Sequence, residues 1–192
     1  MLTLDDLTAV GALLTGHFRL SSGLHSDRYL QCARLLMWPD RAERAGRELA
    51  GKLAGSSPEA VVSPAIGGIV IGHEVARALG VRSLFAERKD GAFLLRRGFS
   101  LSPGERVVVV EDVFTTGGST REVCAAVESA GGTVAAVASI VDRGVPAGAF
   151  PVPAASLLVL DVPSWPEKEC PLCARGDALD TPGSRPDANP RT

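Results

Sequence analysis

The run "VVVVEDVFTTGGST", residues 107–120, places two adjacent carboxylates, Glu111 and Asp112, directly after four consecutive valines. A fully apolar strand is typical of a buried parallel sheet, and such sheets bind their ligands at the carboxyl ends of the strands. Neighbouring side chains of a strand point in different directions, so two adjacent acceptors can meet two adjacent hydroxyl groups. The acidic pair therefore predicts a site for a vicinal diol.

The loop that follows the acids, residues 115–119, has the composition of a phosphate site. It offers successive backbone N–H groups, glycines that allow close approach, hydroxyl donors and the positive end of the next helix. A diol site beside a phosphate site predicts a ribose 5-phosphate ligand. In a simpler interpretation the acids only cap the helix and the glycines only turn the chain, but this does not explain two acids after a four-valine strand.

Alternating strands and helices are predicted to position these groups. Helical spacing of apolar residues predicts helices over 3–14, 39–55, 69–80 and from 121 on, and apolar runs predict strands in 60–68, 107–110, 133–142 and 155–162. Strands that alternate with helices and are apolar on both faces indicate an α/β fold. We expect a mostly parallel sheet flanked by helices.

Composition favours one globular domain over residues 1–180. The chain has 192 residues, 45% of them hydrophobic, and a formal net charge of −2, which argues against a generic nucleic-acid binder. The sequence has neither a membrane-spanning apolar run nor the pattern of a signal peptide, so a cytoplasmic location is expected. The last residues, 181–192, are rich in Pro, Asp and Ser and are predicted to form a disordered tail.

Residues 107–119 resemble the phosphoribosyl-pyrophosphate (PRPP) signature of type I phosphoribosyltransferases, and the whole chain resembles the orotate phosphoribosyltransferase family. Three further stretches carry the narrower resemblance: "GHFRLSSGLHSDRYLQ" (16–31), "SPAIGG" (63–68) and "SIVDRG" (139–144). They are similar to the family's hood over the base, its pyrophosphate loop and the strand end that bears an orotate-binding arginine. The hood would span about residues 1–36.

The resemblance implies transfer of the phosphoribosyl group from PRPP to orotate, with Mg²⁺ as cofactor, in pyrimidine biosynthesis. Mg²⁺ would be held mainly through substrate and water, without a dedicated set of protein ligands. The implied PRPP-binding residues are Glu111, Asp112, Val113, Phe114, Thr115, Thr116, Gly117, Gly118 and Ser119. The implied orotate-binding residues are Thr115, Arg143, Tyr29 and Leu30. For Arg143 a surface ion pair with Asp142 is the alternative, and for Tyr29 a role in the core.

The implied catalytic residues are Asp112 and two cations of a mobile loop, Arg88 and Lys89. In the family this loop reaches across a dimer, so a homodimer with a shared loop is expected. The loop "AERKDGAFLLRRG" (86–98) lacks a later Lys and His, and Gly67 and Ser21 stand where the family commonly has lysines. Arg96 or Arg97 could share the pyrophosphate charge. Alternatively, "ERKDG" is an ordinary charged hairpin.

The four cysteines are too few and too unevenly spaced for a disulfide scaffold. "CPLC" (170–173) is half of a zinc motif, which leaves three interpretations: a reduced structural pair, a pair that oxidises, or a metal site completed by a dimer partner. His17, His25 and His73 show no metal-ligand spacing with it, so we expect each to be a surface or packed histidine.

Two other functions remain open from the sequence. A purine-specific phosphoribosyltransferase would keep the PRPP site without needing Arg143 or the hood. A non-catalytic regulator that binds a nucleotide or RNA could use the same fold, although such a protein should present a basic face.

Overall fold

The computed structural model describes residues 1–20 and 22–182, which form two compact units. The first unit comprises Met1–Ala12 and Gln31–Asp161, and the second comprises Leu13–Leu30 and the chain from Val162 on. The segment predicted as a hood, about residues 1–36, therefore contributes only its middle part to the second unit. Of the tail predicted as disordered, residues 183–192 lie outside the described residues.

The first unit contains a six-stranded sheet, five α-helices and a 3-10 helix at Ala54–Ser56. Its helices are α1 (Leu4–Ala9), α2 (Ala33–Leu36), α3 (Pro39–Leu53), α4 (Gly68–Leu79) and α5 (Gly118–Ser129). Its strands are β3 (Ala60–Pro64), β4 (Arg82–Lys89), β5 (Ala92–Leu95), β6 (Arg106–Phe114), β7 (Thr133–Asp142) and β8 (Ala154–Val159), in the order β5-β4-β3-β6-β7-β8. All neighbours are parallel except β5, which is antiparallel to β4. The predicted fold class is confirmed.

The valines of β6 explain why helices cover both faces of this sheet. Val107 and Val109 join a buried cluster with Val123 and Val127 of α5. On the opposite face, Val61 of β3 lies against Gly72 of α4. In β3, Ala60 and Val62 belong to the same cluster while Val61 between them lies against α4, so alternate residues of one strand pack against two different helices.

The predicted helices form, and the largest difference from their predicted bounds lies at the end of the first helix. Thr3 caps α1 in a capping box with Asp6, but α1 ends at Ala9 rather than at residue 14. Gly11 adopts φ +66°, a left-handed conformation that ends a helix, and Leu13 and Leu14 begin a strand instead. Pro39 starts α3 as predicted, and Gly80 ends α4.

The second unit is a small antiparallel sheet, β1 (Leu13–Arg19), β2 (His25–Leu30) and β9 (Ser164–Trp165), in that order. It also contains the short helix α6 (Pro171–Ala174). The C-terminal segment is fastened to β1 by backbone hydrogen bonds, since Asp180 N–H donates to the His17 carbonyl at 2.8 Å and Arg19 N–H donates to the Asp180 carbonyl at 2.9 Å. None of the helices in the described part of the chain has the length and apolar character needed to cross a membrane.

Two glycines of α3 should respond oppositely to alanine. A Cβ on Gly46 would lie 2.5 Å from Glu74 Cβ and 2.7 Å from the Glu74 backbone carbon of α4, whereas a Cβ on Gly51 would meet nothing within 4 Å. We expect Gly46→Ala to lower the free energy of unfolding by about 1–3 kcal/mol through overpacking. Gly51→Ala should raise it by about 0.5–1 kcal/mol, because alanine favours the helix.

Urea unfolding midpoints of the two variants and the parent chain measure this difference. Since both changes add the same methyl group to the same helix, equal effects would show that α3 and α4 do not approach as closely as described.

Candidate active site

The two acids at the end of β6 are packed against a loop and a helix of the first unit. Thr120 of α5 donates its hydroxyl hydrogen to Glu111 Oε2. Asp112 Oδ1 accepts from its neighbour's backbone N–H at 3.0 Å. A Cβ on Gly67 would lie 3.0 Å from both Asp112 carboxylate oxygens, so the loop after β3 approaches this carboxylate directly. Sequence reasoning identified both acids and the loop, but not the contact with Thr120.

Burial makes these carboxylates unusually weak acids. Desolvation, together with the nearby Asp112 charge, raises the pKa of Glu111 to about 7 from its usual 4.5. Desolvation also raises the pKa of Asp112. Within the described residues no basic side chain forms an ion pair with either acid. Two poorly solvated acceptors without a cationic partner suit a ligand that brings hydroxyl donors or positive charge.

The loop between β6 and α5 leaves the start of the helix open. Gly117 occupies the N-cap position at φ +72°, which favours glycine, and it has no side chain with which to cap α5. Thr115 and Thr116 are exposed, and the Arg121 side chain holds the loop by donating to the Thr116 carbonyl at 3.0 Å. The Ser119 N–H, and the Gly118 N–H whose bond to Thr116 Oγ1 is a long 3.4 Å, can therefore face an anion, as expected for a phosphate site.

Val113 and Phe114 continue β6 beyond the acids. Val113 is partly buried, whereas the Phe114 side chain is fully buried and its ring lies 4.9 Å from that of Phe150. Any contact of Phe114 with PRPP would therefore come from its main chain.

Arg143 follows the end of the neighbouring strand β7. Its backbone N–H donates to the Phe114 carbonyl at 2.9 Å, which ties it to the end of β6. Its Nε atom is buried and has no hydrogen-bond partner in the described structure, and burial lowers its pKa. Asp142 instead accepts from the backbone N–H groups of Gly144 (2.9 Å) and Val145 (2.8 Å). A surface ion pair with Asp142 is therefore not what holds Arg143.

The segment "ERKDG" forms the turn of the β4–β5 hairpin, with Lys89 paired to Ala92. Arg88 is engaged within the unit: its guanidinium lies 2.8 Å from Glu122 Oε2 of α5 and 4.3 Å from the centroid of the Phe93 ring. Arg97 pairs with Glu87 at 2.8 Å. No ion pair among the described residues engages Lys89 or Arg96, so these two cations of the hairpin are available to a ligand.

Comparisons with known proteins identify the family to which this chain is similar. Residues 36–152 match the family model of the phosphoribosyl transferase domain. The chain is 53% identical over 188 residues to the orotate phosphoribosyltransferase of Pelotomaculum thermopropionicum, an alignment that covers 96% of this chain and 99% of that protein. The chain belongs to the orotate phosphoribosyltransferase family.

Solved structures of the orotate phosphoribosyltransferase family have the same fold. The enzyme from Aeropyrum pernix superposes with a TM-score of 0.67 at 30% identity, covering 81% of this chain and 92% of that one. The Mycobacterium tuberculosis enzyme in complex with PRPP superposes with a TM-score of 0.60 at 26% identity, covering 69% of this chain and 81% of that one.

Two residues that the family resemblance assigns to the base, Tyr29 and Leu30, lie at the end of β2 in the second unit. Both are partly buried, and the Tyr29 ring packs 5.8 Å from that of Phe18. Their contact with orotate stays a prediction. Ser21, at the position where the family commonly has a hood lysine, lies outside the described residues.

Two of the histidines predicted to be surface or packed residues are buried in the structure, and both lie beside the "CPLC" pair. His17 and His25 lie together with Cys170 and Cys173 in the second unit. Their spacing in the sequence hides this, because the histidines come from two paired strands and the cysteines from the far end of the chain. The pairing of β1 with β2 is irregular between Thr15 and Phe18, and His17 in this stretch places its Nε2 atom 2.9 Å from His25 Nδ1.

The raised pKa of Glu111 predicts how the stability of the substrate-free protein depends on pH. The folded state binds this proton up to about pH 7 and the unfolded state only up to about 4.5, so the Glu111 contribution is fully present below pH 4.5 and is lost as the pH rises through 7. We expect the parent chain to lose about 1–3 kcal/mol relative to Glu111→Gln between about pH 5 and pH 8.

Urea unfolding of both proteins at the two pH values measures this loss, with Glu128→Gln, an exposed carboxylate of α5, as the control. Parallel pH profiles of the parent chain and Glu111→Gln would mean that Glu111 is an ordinary solvated acid.

Proposed function

We propose that this protein transfers the 5-phosphoribosyl group of PRPP to orotate, giving orotidine 5′-monophosphate and pyrophosphate in pyrimidine biosynthesis. The observation that carries the proposal is the juxtaposition of the acidic pair at the end of β6 with the uncapped start of α5. The first fits the ribose hydroxyls and the second fits the 5-phosphate. Sequence similarity to the Pelotomaculum enzyme supports orotate phosphoribosyl transfer as the reaction. The PRPP complex of the similar Mycobacterium enzyme supports PRPP as the donor substrate.

In this reaction N1 of orotate forms a bond to C1 of the ribose and gives up its proton to pyrophosphate or water, while the bond from C1 to pyrophosphate breaks. The transition state resembles an oxocarbenium ion, so the protein contributes by positioning the two substrates and by neutralising the leaving group. Glu111 and Asp112 would hold the ribose hydroxyls, and residues 115–119 would hold the 5-phosphate. Lys89 and Arg96, which have no ion pair among the described residues, would face the pyrophosphate, with Arg88 beside them.

Mg²⁺ fits the chemistry of the acidic pair. The two carboxylates are oxygen donors that form no ion pair with a basic side chain among the described residues, and Mg²⁺ prefers such ligands while keeping several waters. Asp112 and Glu111 would hold it through water and the substrate hydroxyls. When bound, Mg²⁺ would neutralise part of the pyrophosphate charge.

Arg143 would select the base. Orotate carries a carboxylate beside a planar imide edge, and a guanidinium can donate two parallel hydrogen bonds to such a carboxylate. The buried Nε of Arg143, which lacks a partner in the described structure, is a donor that such a ligand would satisfy. A purine has no carboxylate to accept a hydrogen bond from the Arg143 Nε atom, so this unpaired donor favours orotate over a purine as the base.

A homodimer would complete the proposed enzyme. Ile66 and Val70, at the start of α4, are exposed although apolar, as are Met37 and Trp38 before α3. A second copy could cover these side chains, and the β4–β5 hairpin would then reach the partner's site. The proposed compartment is the cytoplasm, where free thiols such as those of Cys32 and Cys124 stay reduced.

The test of function is the loss of orotate absorbance in the presence of PRPP and Mg²⁺, with adenine, hypoxanthine, xanthine and uracil as competing bases. We expect the protein to convert orotate and none of the other four bases. Arg143→Ala should raise the KM for orotate by about 10- to 100-fold, the range for a hydrogen bond to a charged group, while the KM for PRPP stays within about threefold. Arg143→Lys should rescue little, because the ammonium lacks the planar fork.

The matched control is Arg47→Ala, which removes an exposed arginine of α3 and should leave both constants unchanged. Turnover of a purine would establish the purine alternative, and absence of turnover with every base would favour a regulator. Equal losses for both substrates in Arg143→Ala would assign this residue to structure.

Lys89, at the turn of the β4–β5 hairpin, should be required for turnover. We expect Lys89→Ala to lower kcat by more than about tenfold, a loss of about 1.4 kcal/mol of transition-state stabilisation. If the hairpin serves the partner's site, co-expressing Lys89→Ala and Asp112→Asn subunits with different tags and purifying the heterodimer should restore about half of the parent activity, because one of its two sites is then complete.

The control is the heterodimer of Lys89→Ala with a parent subunit. An inactive mixed heterodimer would place Lys89 in the site of its own subunit, and near-normal rates in Lys89→Ala itself would make "ERKDG" an ordinary charged turn.

A further inference from the structure

The second unit gathers four side chains that the proposed reaction does not use. His17 lies on β1, His25 on β2, Cys170 just before α6 and Cys173 within α6. Each offers one nitrogen or sulfur atom, and these four atoms all lie within 4.8 Å of one another. Two segments from opposite ends of the sequence thus bring their nitrogen and sulfur atoms to one point.

The distances among these atoms are close to those of a tetrahedral metal site. His17 Nε2 lies 3.6 Å from both Cys170 Sγ and Cys173 Sγ and 2.9 Å from His25 Nδ1, and Cys173 Sγ lies 3.2 Å from His25 Nδ1. With Zn–N of about 2.0–2.1 Å and Zn–S of about 2.3 Å, neighbouring ligands of a tetrahedral zinc lie about 3.3–3.8 Å apart. A small expansion of the cluster would admit the ion.

A hydrogen bond outside the cluster orients His17 for this role. Its Nδ1 lies 2.9 Å from the Asp177 backbone carbonyl, which can only accept, so Nδ1 carries the hydrogen and Nε2 keeps its lone pair. Metal-bound histidines are held in the same way, with the distal ring nitrogen donating to a carbonyl or carboxylate. The lone pair of Nε2 is therefore directed at the two sulfurs and at His25.

Hydrogen bonding alone accounts poorly for this arrangement. One lone pair on His17 Nε2 can accept one good hydrogen bond, yet three polar atoms converge on it at 2.9–3.6 Å. Cys170 and His25 are each only 2% exposed and His17 is 5% exposed, so water does not readily satisfy the remaining groups. A single ion at the centre would bind all four atoms at once.

We propose that His17, His25, Cys170 and Cys173 bind a structural Zn²⁺ ion. Two thiolates and two neutral imidazoles balance the charge of one Zn²⁺, and such a mixed sulfur and nitrogen set in tetrahedral form selects zinc over Mg²⁺. Because the protein supplies all four ligands, no position stays open for a substrate, which is the mark of a structural site. This ion is separate from the Mg²⁺ proposed for the active site and does not depend on the proposed function.

The ion would fasten the C-terminal segment to the β1–β2 hairpin. The second unit has about 40 described residues in two pieces, a size at which an apolar core alone rarely holds a fold and a metal is commonly needed. The backbone bonds of Asp180 to β1 and the two-residue strand β9 are the neighbouring links. Zinc would add a link that joins β1, β2 and α6 together.

Metal analysis of the full chain, purified without added metal or chelator, tests the site directly. We expect about one zinc per chain. The parent protein stripped with a strong chelator should take up one Co²⁺ per chain, with the visible bands of tetrahedral cobalt and a thiolate charge-transfer band. Hydrogen exchange should then be faster in Leu13–Leu30 and 162–180 of the stripped protein than in the loaded protein, and unchanged in β6.

Variants assign the ligands. Cys173→Ser and His25→Ala should lower the zinc content at least about tenfold. Cys124→Ala and His73→Ala, which remove a cysteine and a histidine of the first unit, should leave it unchanged. Cobalt uptake by the stripped parent chain needs no variant, so it decides the matter even if Cys173→Ser does not fold.

Three results would overturn the proposal. The first is a parent chain that carries no zinc as purified and develops no cobalt bands on titration. The second is iron in place of zinc at the same residues. The third is a Cys170–Cys173 disulfide, found by mass spectrometry of protein alkylated at cell lysis without added reductant.

Discussion

The parallel alignment of β3, β6 and β7 is the constraint on which the candidate site depends. Because β6 pairs with both neighbours in the same direction, all three strands end at one edge of the sheet. That edge brings the loop of Gly67, the acids Glu111 and Asp112, and Arg143 next to one another along the ladder. The valines of β6 are buried on both faces, so the strand cannot shift its register without exposing apolar surface.

The site keeps charges that the protein alone does not balance. Glu111 and Asp112 hold raised pKa values beside each other, while the half-buried Arg143 has a lowered pKa and a buried Nε atom without a partner in the described structure. Each of these arrangements costs stability in the empty protein. A substrate that brings hydroxyl groups and metal charge to the acids and a carboxylate to the arginine would relieve all three. The site is thus organised for its proposed ligands rather than for maximal stability.

Much of this could be predicted from the sequence, because local patterns determined it. The four-valine run, the acid pair and the "TTGGST" loop are contiguous, so the end of β6 and the start of α5 could be predicted together. The end of α1 could not, since Gly11 breaks a stretch whose apolar spacing continues to Leu14. The association of His17 and His25 with the cysteines escaped prediction for a different reason. It depends on the pairing of β1 with β2 and on the return of the C-terminal segment, and no local spacing records either.

The second unit is assembled from the two ends of the polypeptide, and 153 positions along the chain separate His17 from Cys170. During synthesis on the ribosome the hairpin β1–β2 emerges early, and its partners emerge only after the whole six-stranded sheet. Closing so long a loop is entropically costly and slow for an unstructured chain, but the prior folding of the first unit would shorten the effective separation. Truncation of the nascent chain before Ser164 would therefore leave a complete six-stranded sheet with the β1–β2 hairpin unpartnered, exposing the edge of β2 to other chains.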